Sequence, residues 1–206
     1  MEKHFMIDIE TTGIKPESED LLQIGVLETT FDGKFWAPGR TLEIIQHTDR
    51  KPESAFAKEH MAALYETCNR APAWDAENIR WMMLKFFREC GAEPPQVYLM
   101  GWNASNFDIP FLVHKGVLQP SYYEIGPDGK DIMRGDFHYR IYELGGAVSL
   151  ISNKYPKEAR NDLIKDAKAR DVSTPLPAGK EHDAIYDCYS QLKILNGLLM
   201  MAREYV

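Results

Sequence analysis

The chain has 206 residues, 44% apolar and 11% aromatic, enough for the core of one domain spanning residues 1–206. A formal net charge of −7 excludes a simple electrostatic nucleic-acid binder, unless bound cations invert the local field. No apolar run reaches bilayer length and no secretory pattern opens the sequence; its three cysteines are isolated, so the expectation is a reduced, cytoplasmic protein with no membrane partner.

Residues 5–10, 21–31 and 34–46 predict three successive strands, rich in Ile, Val, Thr and aromatics. Asp32-Gly33 is a hairpin signal between the second and third. In the first strand Phe5, Ile7 and Ile9 form one apolar face. Asp8 and Glu10 share the other, two like charges roughly 7 Å apart. Helical spacing follows over residues 52–68 and 75–90, with Asp75 as cap of the second. "QVYLMGWN" reads as a short central strand, and "SNFDIPFLVHKG" as a helix capped by Ser105 or Asn106, with Pro110 in its first turn and Gly116 at its end.

Residues 119–135 read as a loop with the turn "GPDGKD", and a further helix is expected from about Asp136 through "YRIYELGGAVSLISNKY". A polar helix and a mobile loop should fill residues 154–181. The last helix starts near Asp183 and carries an apolar stripe of Ile185, Cys188, Tyr189, Leu192, Leu195, Leu199 and Ala202. This order predicts an α/β layered domain with a mixed sheet, an antiparallel meander on one side and parallel strands on the other.

The triplet D-x-E arises about once by chance in a chain this acidic. Asp75 and Glu77 form such a triplet at a helix start, where residues two apart do not face each other and a cap suffices. The strand period at Asp8 and Glu10 instead makes two carboxylates converge, a start for holding hard cations such as Mg²⁺ or Mn²⁺. Asp108 opens a helix directly after a central strand, where α/β sheets bind ligands, although the helix dipole alone would favour an acid there. His182 has an Asp, Asp187, five positions later. A lone His is more often a surface residue, but beside a metal cluster an imidazole can take a proton from water.

"MIDIETTG", "GWNASNFDIPFL" and "EHDAIYDC" resemble, in order, the three motifs of the DEDDh 3′–5′ exonucleases, a branch of the ribonuclease-H-like fold. The likeness spans residues 5–192. Within the family it is greatest to the phage exonuclease A group and small exonucleases with an Rv2179c-like domain, which would place the chain in a phage-infected host cytoplasm. "TPLPAGKEHDAIYDC" and "GDFHYRIYEL" carry that closer likeness, although oligoribonuclease shares a comparable "FHYR" stretch.

The resemblance implies a five-stranded mixed sheet flanked by helices. It implies that Asp8, Glu10, Asp108 and Asp187 hold two divalent ions, Mg²⁺ or Mn²⁺, with His182 as general base. It implies that Thr11 and Thr12 bind the terminal nucleotide, that Asn103 and Phe107 shape the pocket, and that His60 and Met61 lie against the terminal base. Asp136 matches a further position of the family. The implied partner is a nucleic-acid 3′ end, single-stranded DNA or RNA, with DNA favoured by the phage likeness. The alternatives are a 3′–5′ exoribonuclease, a catalytically silent nucleic-acid-binding module, and a ribonuclease-H-type endonuclease, the last disfavoured by the His182–Asp187 spacing. Lys154, Lys157, Arg160, Lys165, Lys168, Arg170 and Lys180 read first as a solvated mixed-charge face and second as a phosphate path.

Overall fold

A computed structural model describes residues 3–127, 130–146, 148, 157–179 and 181–204. In chain order its elements are β1 (Lys3–Thr11), β2 (Leu21–Phe31), β3 (Trp36–Ile45), α1 (Ala55–His60), α2 (Ala62–Cys68), α3 (Ala76–Glu89) and β4 (Val97–Gly101). Then come α4 (Asp108–His114), β5 (Tyr122–Ile125), β6 (Asp131–Arg134), β7 (Tyr142–Glu143), α5 (Lys157–Arg170) and α6 (Ala184–Arg203).

Five strands form one sheet in the order β3-β2-β1-β4-β7. The first three make an antiparallel meander, while β4 runs parallel to β1 and β7 parallel to β4. The β2–β3 turn follows from its two residues. Asp32 Oδ1 accepts from the Lys34 and Phe35 amides at 2.7 Å, and Gly33 adopts φ +92°.

β1 is central and its alternation divides the core in two. Phe5, Ile7 and Ile9 pack with Phe87 of α3 and Phe111 and Leu112 of α4. On the opposite face Met6 packs with Leu27, Met100, and Cys188 and Leu192 of α6. Asp8 and Glu10 therefore point to the α6 side, at the carboxyl end of β1.

Two glycines set how closely the last helices approach. A Cβ on Gly25, the residue of β2 opposite Asp8, would lie 2.5 Å from the Ala184 carbonyl carbon. A Cβ on Gly197 would lie 1.9 Å from the Ala167 oxygen, so α5 crosses α6 at backbone contact. Gly25→Ala is expected to destabilise the fold by about 1–3 kcal/mol. The obstructing atoms are backbone, so the start of α6 must retreat. Urea unfolding measures the stability, and the same variant should lose affinity for divalent ions because Asp187 rides on that turn.

Several elements differ from the sequence expectation. The helix over 52–68 is two, because the chain turns at Met61 (φ −113°, ψ 3°) to bury that side chain against Leu22, Tyr65 and Cys68. α4 starts at Asp108, and Ser105 and Asn106 do not cap it. The Ser105 amide and hydroxyl donate to Glu143 instead, while Gly116, at φ +72°, ends the helix as expected. Within residues 119–135, β5 and β6 pair antiparallel where a loop is expected, and the centre of the expected turn, 128–129, lies outside the described residues.

Asp136 does not start a helix. Its carboxylate is buried in a two-pronged ion pair with Arg80, at 2.8 Å for both contacts, and also accepts from the Gln119 amide. β7 follows, and helical backbone begins only at residue 144. Of that expected helix, residues 147 and 149–155 lie outside the described residues.

α6 starts where expected, capped by Asp183, but it is buried on more than one stripe. Gln191, Asn196 and Gly197 are covered too, while Ala202 is exposed. Among the described residues no helix is long and apolar enough to cross a membrane. The three cysteines are free and buried.

Candidate active site

Three segments bring the expected acids together. β1 supplies Asp8 and Glu10, the first residue of α4 is Asp108, and the first turn of α6 carries Asp187. Asp108 Oδ1 accepts from the Ile9 amide at 2.9 Å, which ties the start of α4 to β1. Asp187 Oδ2 accepts from the His182 amide at 2.8 Å. Side-chain donor atoms of Glu10, His182 and Asp187 all lie within 4.8 Å of one another. All five residues line one cleft of about 400 Å³, together with Trp102 and Phe107.

The backbone at His182 is in the left-handed region, φ +68°. His is among the residues that tolerate this best. The turn directs its ring toward α1, where it meets Phe56 edge-on at 4.8 Å and His60 at 5.6 Å between centroids. Farther back the chain is pinned rather than free. Buried Asp171 accepts from the Ser173 and Thr174 amides and from both hydroxyls, and Asn196 reaches Thr174 Oγ1 at 3.1 Å. The expected mobile loop is thus anchored at its start, over Asp171–Thr174.

The cleft is charged at a cost. Burial, then the neighbouring Asp108, Glu10 and Asp187, push Asp8 well above the usual carboxylate range, against a 2.7 Å hydrogen bond from Gln191. Burial and the Asp187 and Asp108 charges raise Glu10 to about 8. Burial raises Asp108 to about 7, opposed by backbone hydrogen bonds, and it raises Asp187 as well. Among the described residues no Lys or Arg forms an ion pair with any of the four. Lys168 offsets Asp187 in part without contacting it, and hard oxygen donors so clustered fit divalent ions such as Mg²⁺ or Mn²⁺.

These shifts fix a pH dependence. An acid whose folded pKa is raised binds its proton more tightly folded than unfolded, so metal-free stability rises as pH falls through the folded value. The window runs from about pH 8 down to about 4, set by Glu10 and Asp108. A gain of even about 2 kcal/mol corresponds to roughly 4–8 °C in a chain of this size. Differential scanning calorimetry in chelator should show that rise. Adding Mg²⁺ or Mn²⁺ should raise Tm more at pH 8 than at pH 6, because ions then replace protons.

The remaining expected residues are placed unevenly. Phe107 lines the cleft, and Asn103 is exposed at φ +58°, bonded to Asn106 at 3.2 Å. Thr11 donates to the Gly13 carbonyl at 2.6 Å. Thr12 donates to Glu19 at 2.7 Å and lines a second, polar pocket with Arg50, Lys51, Ser54 and Tyr65. His60 reaches His182, but the Met61 side chain is buried away from solvent. Asp136 does not line the cleft; its Arg80 pair belongs to the packing of α3. Lys154 and Lys180 lie outside the described residues, as does the Lys157 side chain.

Two supporting residues escaped the motifs. Gln191 donates to Asp8 and accepts from the Trp102 amide at 2.9 Å, fixing β1, β4 and α6 together. Its signal was available, four positions beyond Asp187 on the same helix face. Glu143 accepts from the Asn103, Ser105 and Gly145 amides, shaping the turn before Asp108. Nothing local marks it, since two of those partners lie 38 and 40 residues away.

No family model and no curated protein matches the chain. Solved structures do. The chain shares its mixed α/β fold with solved exonucleases. It superposes on the zinc-ion-bound form of an E.coli ExoI–ssDNA complex with a TM-score of 0.61 at 14% identity, over 100% of this chain and 41% of that one. Exonuclease I from Methylocaldum szegediense gives 0.59 at 14% identity, over 98% and 41%. Exonuclease X bound to 5′-overhanging duplex DNA gives 0.53 at 17% identity, over 98% and 94%. The chain thus spans about two fifths of the two exonuclease I chains and nearly all of exonuclease X.

Proposed function

We propose that this chain is a metal-dependent 3′–5′ exonuclease of the DEDDh type, releasing nucleoside 5′-monophosphates from single-stranded DNA. The observation that carries the reading is the convergence of Asp8, Glu10, Asp108 and Asp187, with His182, in one cleft. The sequence motifs and the fold shared with exonucleases support it, and the DNA bound to two of those neighbours favours DNA over RNA. The whole activity is assigned to one domain over residues 1–206 acting in the cytoplasm.

Asp8, Glu10, Asp108 and Asp187 would hold two divalent ions, Mg²⁺ or Mn²⁺. Such ions lower the pKa of an attacking water and absorb negative charge on the phosphodiester. The chain's own groups do the rest. His182 accepts the proton of the water on its imidazole, and its ring is steadied by Phe56 and His60. Gln191 keeps Asp8 aimed into the cleft. Phe107 walls the space beside Asp108, and Thr11 and Thr12 lie at the end of β1 where a terminal nucleotide would rest.

The test is a panel of 5′-labelled single-stranded DNA, overhanging duplex DNA and short RNA, incubated with Mg²⁺ or Mn²⁺. The expected result is a ladder shortening one nucleotide at a time from the 3′ end, fastest on single-stranded DNA. Faster RNA trimming would favour the exoribonuclease, and cleavage of a circle would favour the endonuclease. Binding without hydrolysis in every metal would favour the silent module.

A further inference from the structure

α5 presents two different faces. At 3.6 residues per turn, Arg160, Ile164, Ala167 and Lys168 fall on one side, and Asp162, Lys165 and Asp166 on others. Burial follows that division. The first four are buried or half-buried, whereas Asp162, Lys165 and Asp166 are exposed. Ala167 seats the helix on Gly197 of α6. Ile164 lines the acidic cleft, as does Trp102 from the turn after β4. The Arg160 guanidinium lies over the Trp102 ring, 5.4 Å from its centroid.

Arg160 and Lys168 bracket Ile164, about 12 Å apart along the helix axis at 1.5 Å per residue. Among the described residues neither forms an ion pair, unlike Arg170, which is tied to Glu204. Among the described residues the Arg160 guanidinium meets the Trp102 ring, and Lys168 feels the charge of Asp187 without contacting it, so both keep capacity for an anion beside the cleft. Among the described residues Asp162, Lys165 and Asp166 form the solvated mixed-charge face, whereas Arg160 and Lys168 are turned inward.

We infer that the inner face of α5, Arg160 and Lys168 with the Trp102 ring beneath Arg160, is a track for single-stranded nucleic acid leading to the acidic cleft. The cations take backbone phosphates, and the Trp102–Arg160 pair offers a planar surface on which a base stacks. The inference rests on reading the cleft as a nucleic-acid site. It explains how a chain of net charge −7 engages a polyanion, since the attraction is confined to one stripe.

The experiment is fluorescence anisotropy of the full chain with a labelled twelve-nucleotide single strand, deoxy and ribo, in Ca²⁺ and at several salt concentrations. Arg160→Ala and Lys168→Ala should each weaken binding roughly fivefold to tenfold, and the double variant should flatten the log Kd against log salt slope by about 1.4. Arg160→Lys should keep the salt slope but recover only part of the affinity, because it loses the planar stack. Lys165→Ala, on the outer face, should change neither quantity.

Unchanged affinity and slope in the inner-face variants, an equal loss in Lys165→Ala, or no binding by the unaltered chain would each overturn the track. Turnover of the same strand by the unaltered chain, measured in Mg²⁺ and Mn²⁺, separates the two readings. Hydrolysis without dependence of binding on the stripe defeats the track alone. Stripe-dependent binding without hydrolysis defeats the exonuclease reading and leaves the track standing.

Discussion

Asp8→Asn is expected to abolish hydrolysis, by at least about 10³-fold, while raising the thermal stability of the metal-free chain at pH 8. The two effects share one cause. Asp8 sits at the centre of the acid cluster, and the charges of Asp108, Glu10 and Asp187 all raise its pKa. Its ionised form is the one a hard cation requires, and also the one that the fold least favours without a cation. An amide of the same shape can still accept from Gln191 but brings no charge. Repulsion therefore falls and metal affinity falls with it. Calorimetric Mn²⁺ titration, the melting temperature in chelator, and release of mononucleotide from labelled DNA read the three consequences. Near-normal turnover would sink the two-ion assignment. A lower metal-free melting temperature would show that the loss of activity came from misfolding.

What the sequence made legible, and what it hid, divides by the range of the contacts. The alternation in residues 5–10 is local, and it placed Asp8 and Glu10 on the strand face that meets the last helix. The decoy at Asp75 and Glu77 was equally local: Asp75 accepts from the Asn78 amide as an ordinary cap. β7 was unreadable because its two residues are strand only by pairing with Met100 and Gly101, some 42 positions earlier. Asp136 was misread for the same reason, since its partner Arg80 is 56 residues away on α3. The helix break at Met61 arises from burial against β2 and α2, and the spacing of apolar residues on either side continues without a gap. Gly25 is one more long-range feature. In sequence it is a glycine weakening a strand, and in space it is the room that lets the start of α6 bring Asp187 to Glu10.

Replacing His182 is expected to lower kcat by roughly 10²–10⁴-fold, the range for losing a general base, with divalent-ion affinity largely retained. The choice of replacement matters because the backbone there is left-handed, φ +68°. Alanine adds strain of its own, about 1–2 kcal/mol, whereas asparagine visits this region readily. His182→Asn therefore removes the imidazole without disturbing the amide that donates to Asp187. An equal fall in both variants assigns the effect to the ring. A fall in the alanine variant alone assigns it to the backbone that orients Asp187. Because a ring nitrogen lies within 4.8 Å of the Glu10 and Asp187 oxygens, the imidazole is also near enough to serve as a ligand. Mn²⁺ titration of His182→Asn separates these roles. Retained affinity with lost turnover and an altered pH–rate profile supports the base, whereas a matching loss of affinity makes His182 a ligand and leaves proton removal to another group.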